Sequence, residues 1–293
     1  MDLAGLTAVD VHVHVEADHD GHTSLPEDFA AASAAYFGAS PHRPTADEIA
    51  VYYRERRIGA VVFTVDIEAF TGHPALSNEQ IAEAAARNSD VLVPFASIDP
   101  AKGRAGARQL RRLADQHGVR GVKFHPSIQG FAPNDGTAYP LLEVAQELGL
   151  PAVFHTGQTG IGAGMRGGGS VRLALSNPML LDDVAIAFPD LTVIMAHPSF
   201  PWQDEALAVA THKPNVYIDL SGWSPKYFPP QLVRYANSLL QDKVMFGSDY
   251  PLITPDRWLA DFGMLDIKPQ VRPKILKDNA VRVLNLGQRP AQG

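Results

Sequence analysis

The stretch Val9-Asp10-Val11-His12-Val13-His14-Val15 alternates strictly between apolar and polar residues. On an extended strand that alternation puts Asp10, His12 and His14 on one face, and two imidazoles at i and i+2 can converge on one cation. Taken alone, the pattern also suits an edge strand with its polar face in water. Other apolar runs end in the same way: Lys123-Phe124-His125 closes one, and His155, His197 and Asp249 close three more. Scattered histidines that merely satisfy a core would not be expected to choose run ends repeatedly. A set of His12, His14, His155 and Asp249 would offer three neutral nitrogens and one carboxylate, suited to zinc and tolerable for manganese or iron(II). His117 and His212 fall in helical or loop stretches and read as ordinary surface residues.

Composition narrows the chemistry further. The 293 residues include no cysteine and 11 histidines, so thiolate nucleophiles, disulfides, iron–sulfur clusters and cysteine-held zinc are excluded. Histidine is then the main candidate for metal binding and for proton transfer near neutral pH. A formal charge of −7 argues against nucleic acid or an anionic membrane as partner. With 45% hydrophobic and 19% charged residues the balance is that of a globular chain. Neither a basic leader nor an apolar window of membrane-spanning length is present, so a cytoplasmic location is the expectation.

The elements that must position these residues are legible as a cadence. Apolar, β-branched runs occur at Ala8–Val15, Ala60–Asp66, Val91–Ile98, Val119–His125, Pro151–Thr156, Leu191–His197, Val216–Ser221 and Lys243–Asp249. Most start about 30 residues apart, the length of a strand plus its crossover helix, which predicts parallel βα units. Helical spacing fills the gaps at Asn78–Asn88, Gly103–His117, Tyr139–Leu148, Leu180–Phe188 and Pro230–Gln241, and again at Ile275–Leu286 before a frayed tail from Gly287. Ser77 and Gln80 predict a capping box, and Gly118 and Gly149 sit where helices would stop. Eight βα units predict a (β/α)8 barrel of one domain over 1–293, with the run ends gathered at its carboxyl-end rim. Two stretches break the cadence: a lid-like insertion at 16–57, carrying His19, His22 and His42, and a glycine-rich loop at 157–170. Both follow a strand, where barrels build sites and lids.

The His-x-His of the first run, His155, the His197-Pro198 pair and Gly247-Ser248-Asp249-Tyr250-Pro251, in that order, resemble the amidohydrolase superfamily. More narrowly, they resemble its branch of aminocarboxymuconate semialdehyde, γ-resorcylate and iso-orotate decarboxylases, which also includes lactone hydrolases. The resemblance spans nearly the whole chain. It implies His12, His14, His155 and Asp249 as ligands of one divalent ion, with His197 beside it as a catalytic or polarising residue. Binuclear relatives carry a carboxylated lysine after the fourth strand, which would correspond to Lys123 and leaves a second metal open. A homodimer is implied by the resemblance only.

Such an ion lowers the pKa of bound water and polarises a substrate oxygen. Hydrolysis of a small carboxylated or cyclic substrate, with Asp249 taking a proton and His197 supporting the developing oxygen, needs the fewest assumptions and comes first. Non-oxidative decarboxylation of a hydroxyaryl or muconate-type acid by the same residues is the alternative. Arg166, Arg172 and Lys123 are candidates to hold an anionic substrate and His125 is a further substrate-binding candidate, with Trp202 and Trp223 as pocket walls; solvated charge, above all for Arg172, and plain packing are the bland alternatives. A barrel that binds metal without turnover would be expected to lack a ligand, and none is missing. Gly162-Ala163-Gly164-Met165-Arg166-Gly167 matches a dinucleotide fingerprint, with Asp182 beyond it. However, its glycines do not directly join strand to helix, and Asp182 precedes the next strand.

Overall fold

The computed structural model describes residues 1–38 and 42–287. Beyond Gly287 itself, the tail expected from that residue onward lies outside them. Among the described residues are nine strands, paired in parallel and, except between β3 and β4, separated by helices: β1 Ala8–His14, β2 Ile58–Phe63, β3 Leu92–Pro94, β4 Ala96–Ser97, β5 Val122–Phe124, β6 Ala152–His155, β7 Val193–Ala196, β8 Val216–Asp219 and β9 Val244–Met245. They pair in the orders β1-β2-β3 and β4 through β9. The architecture is the (β/α)8 barrel that the cadence predicts.

One expected run is divided. Val91–Ile98 becomes β3 and β4, broken at Phe95, with β3 on β2 and β4 on β5. Pro94 has no N–H to donate, and the chain then changes partner: Phe95 N–H donates to Val62 O at 2.9 Å and Ala96 N–H to Gly121 O at 2.9 Å. The ends of the sheet meet through Val11 N–H to Phe246 O at 3.0 Å, Asp249 N–H to His12 O at 3.0 Å and His14 N–H to Tyr250 O at 2.8 Å. The segment carrying Asp249 is thereby hydrogen-bonded to the strand carrying the His pair.

Packing falls into two layers. Ala8, Val13 and Val15 join helix residues such as Ile49, Tyr53, Leu110 and Leu141 in the layer between strands and helices. Val9, Val11, Phe63, Val93, Phe95, Val153, Ile194 and Met245 form a separate interior cluster, reached by Val283 and Leu286 from the final helical segment. The expected helices appear with ends shifted by a few residues, at Asn78–Arg87, Gly103–His117, Tyr139–Glu147, Leu180–Ala187 and Pro230–Ala236. Ser77 accepts from Gln80 N–H, but the reciprocal half of that box is absent. A complete capping box forms instead at Thr45 and Glu48. The stretch 16–57 divides in two: Ala46–Glu55 buries Ile49, Ala50 and Tyr53 as the crossover helix, whereas Glu27–Phe37 stands over the carboxyl-end rim. No helix among the described residues is long and apolar enough to cross a membrane.

Candidate metal centre

The strict alternation of β1 predicts Asp10 beside the two histidines, and the structure corrects this. The pairing of β1 with β2 slips between Asp10 and Val13, and the strand changes phase there: Val9 and Val11 belong to the interior cluster, Val13 and Val15 to the outer layer. Such a bulge re-aims side chains. Asp10 therefore faces the helix layer, accepting from Tyr53 Oη at 2.8 Å, Ser248 N–H at 2.9 Å and His12 N–H at 3.1 Å. It ties the first strand to the segment that follows β9. His12 and His14 turn to the barrel mouth.

There His12 Nε2, His14 Nε2 and one Asp249 oxygen converge: Asp249 Oδ1 lies 3.4 Å from His12 and 3.1 Å from His14. These three residues place their donor atoms within 4.8 Å of one another. On its other nitrogen, His12 Nδ1 meets Asp219 Oδ2 at 2.8 Å, with both residues fully buried. Burial, reinforced by the Lys123 charge, lowers the His12 pKa to about 3. The neutral ring thus donates from Nδ1 to Asp219 and leaves the Nε2 lone pair facing the centre, the orientation that a carboxylate behind a metal-binding histidine enforces. Burial alone would push the Asp219 carboxyl up, but His12, His197 and the Ser221 side chain hold it well below the ordinary carboxylate range. Asp249 is held low in the same way by His14, His12 and His197, again against burial.

Asp219 was not singled out from the sequence, although it lies near the end of the seventh run, Val216–Ser221, and is the last residue of β8. His197 and Asp249 adopt φ of 76° and 72°, left-handed backbone that costs roughly 1–3 kcal/mol at a non-glycine residue and clusters at functional sites. Glycines make room for them. A Cβ on Gly247 would lie within 3.1 Å of Ser221, Asp219 and His12, and one on Gly222 would lie 2.4 Å from His197 Nδ1.

His155 is not in the three-residue group. Its Nδ1 pairs with His197 Nε2 at 2.9 Å, while its Nε2 is buried without a partner. An unsatisfied buried nitrogen carries a cost of about 1–3 kcal/mol that a bound cation would remove, and the donor set of His12, His14, His155 and Asp249 therefore fits a divalent ion. His197 Nδ1 is held by Ser221 Oγ at 2.9 Å, and His125 stacks on His155 with ring centroids 3.8 Å apart. Lys123, fully buried, places Nζ 3.1 Å from His12 Nε2, and burial brings its pKa down to about 8.

A cavity of about 400 Å³ opens from this centre. His14, Lys123, His125, His155, His197 and Asp249 line its inner end, and Tyr36, Phe37, Trp223 and Tyr227 add ring surface. Two of the expected substrate contacts lie elsewhere in the structure. Arg166, on the turn Arg166–Ser170 of the glycine-rich loop, and Trp202, before the helix Gln203–His212, do not line it. Residues that the sequence did not point to, Arg43 and Arg257, do.

The family model described as amidohydrolase matches residues 9–286. The chain belongs to the amidohydrolase family. No curated protein matches it. Among solved structures, an uncharacterized TIM-barrel protein from Bordetella bronchiseptica is 25% identical, covering 97% of this chain and 100% of that one at a TM-score of 0.79. A dihydroxybenzoic acid decarboxylase from Polaromonas sp., solved with manganese and 2-nitroresorcinol, is 16% identical over 97% and 98% of the two chains, with a TM-score of 0.68. A 5-carboxyvanillate decarboxylase from Sphingomonas paucimobilis is 17% identical over 96% and 99%, at 0.63. This amidohydrolase-family chain is accordingly a metal-dependent enzyme.

Proposed function

We propose that this enzyme is a non-oxidative decarboxylase of a small hydroxyaryl carboxylic acid, with His12, His14, His155 and Asp249 holding one divalent ion. The observation that carries the reading is the cavity itself, which joins a histidine-rich inner end carrying the Lys123 ammonium to aromatic walls in a volume suited to one substituted ring. The activities of the Polaromonas and Sphingomonas relatives support it. The sequence puts hydrolysis first; these relatives favour decarboxylation.

When bound, the ion would withdraw electron density from the substrate carboxylate and a neighbouring oxygen. The residues do the rest. Asp219 keeps His12 in the tautomer that presents Nε2, and the Lys123 ammonium adds positive charge beside the position of the substrate carboxylate. His197, clamped by Ser221 and His155, polarises the ring oxygen. As the carbon–carboxylate bond breaks, carbon dioxide leaves and the bond's electron pair stays on the ring carbon. That carbon takes a proton relayed from solvent through Asp249 or a cavity-lining imidazole. His125 and Trp223 pack the ring in place.

Zinc suits the donor set, and manganese is the ion named for the Polaromonas relative, so both belong in the test. Metal-depleted protein reloaded with either ion is offered dihydroxybenzoates, a carboxyvanillate and several lactones while carbon dioxide is measured. Release of carbon dioxide from one or more ring acids is expected. Lactone opening with no carbon dioxide from any acid would replace the reading with hydrolysis.

A further inference from the structure

We propose that Arg257 reads a second carboxylate on the substrate, so that the cavity takes a ring dicarboxylic acid with one carboxylate at the histidine-rich end and the other at the mouth. The inference rests on the cavity being the substrate site.

Three Lys or Arg residues line the cavity: Arg43, Lys123 and Arg257. Arg43 is engaged by Glu27 Oε2 at 2.7 Å, and Lys123 is buried against His12 Nε2. The guanidinium of Arg257 has no hydrogen-bond or ion-pair partner among the described residues, although its backbone N–H is anchored on the capping Thr254 Oγ1 at 3.3 Å. The adjacent carboxylate is unavailable, since Asp256 accepts from Arg56 Nε at 2.9 and 3.0 Å and from Tyr52 Oη at 3.1 Å. The acidic side chains that line the cavity are also occupied: Glu16 accepts from Ser24 at 2.6 Å, Glu27 from Arg43, and Asp249 lies between the histidines.

Arg257 also stands in the first turn of the helix Pro255–Gly263. There the helix dipole disfavours a cation, and no ion pair among the described residues offsets that cost. An anchored backbone, a free planar donor fork and an exposed position on the rim suit bidentate capture of an incoming carboxylate. The inner carboxylate meets the metal ligands and Lys123, leaving this second anionic group for Arg257.

The test is binding, independent of turnover. Calorimetric titration of the manganese-loaded full chain compares isophthalate with benzoate. The native protein is expected to prefer isophthalate by at least about fivefold, as a charge-assisted pair at a partly open rim would provide. Arg257→Met should bring the ratio to within about twofold, and Arg257→Lys should retain part of it. Thermal melts of both variants check that the fold is kept. A native protein that binds isophthalate no tighter than benzoate, or a preference that survives in Arg257→Met, would overturn the proposal. Failure of the decarboxylase reading would show separately, as absent carbon dioxide with the binding preference intact.

Discussion

Replacing Asp219 by Asn tests how the centre is held without touching a proposed ligand. Asp219 serves two donors with two acceptor oxygens: Oδ2 takes the proton of His12 Nδ1 at 2.8 Å, and Oδ1 takes the Ser221 N–H at 2.9 Å. An asparagine has one acceptor and one donor on the same fork. Whichever way the amide turns, its NH2 must face either Ser221 N–H or His12 Nδ1–H, and the residue is fully buried, so solvent cannot relieve the opposition. Keeping Ser221 satisfied pushes His12 toward the other tautomer, which puts a proton on the Nε2 that should ligate. The lost carboxylate charge also leaves Lys123 with less compensation. Loss of such a carboxylate behind a metal-binding histidine costs about tenfold to a hundredfold in metal affinity, or ~1.4–2.7 kcal/mol. Competition titration of the metal-free variant with manganese or zinc against a chromophoric chelator measures this directly, with circular dichroism to establish folding. A folded Asp219→Asn protein that binds the ion within twofold of the native chain would refute the assigned tautomer and the role of Asp219.

Other outcomes follow from the same geometry. Gly222→Ala must place a Cβ at φ 73°, 2.4 Å from His197 Nδ1; displacing that ring from Ser221 should lower kcat by about a hundredfold. Steady-state kinetics that match the native enzyme would contradict the part assigned to His197. Gly121→Ala would drive a Cβ to 2.3 Å from the Phe95 ring, an overpacking expected to cost about 1–3 kcal/mol in urea unfolding while metal affinity is kept. Removing the ion with a chelator should abolish turnover and lower Tm, and restoring it to roughly a hundred times Kd should return about 2.7 kcal/mol of stability. An unchanged melting curve on reloading would argue that the ion does not bind the folded state at this centre.

The barrel is legible in the sequence because it repeats. A β-branched run followed by helical spacing recurs often enough for the parallel fold to follow from periodicity, and the run ends mark which side chains share a rim. His12, His14, His125, His155, His197 and Asp249 were all visible on that basis. The strand phase was not, because alternation cannot reveal an irregularity in pairing. The slip between Asp10 and Val13 is set by β2 and by the segment that follows β9, and it decides that Asp10 fastens β1 to that segment while His12 turns to the centre. The division at Phe95 is of the same kind, since only the two flanking strands determine where the chain changes partner.

The chain's residue types and order thus account for a candidate metal-binding histidine set on an α/β barrel, the exclusion of thiol chemistry, and the family. Which atoms face one another was decided only when distant segments met. Asp219 stands 207 positions from His12 along the chain, and no local pattern links them until β8 and β1 are brought to one rim. Arg257 became a candidate, and Arg166 and Trp202 ceased to be cavity residues, for the same reason. A side chain's usefulness depends on what other segments leave unpaired around it, and that is a property of packing.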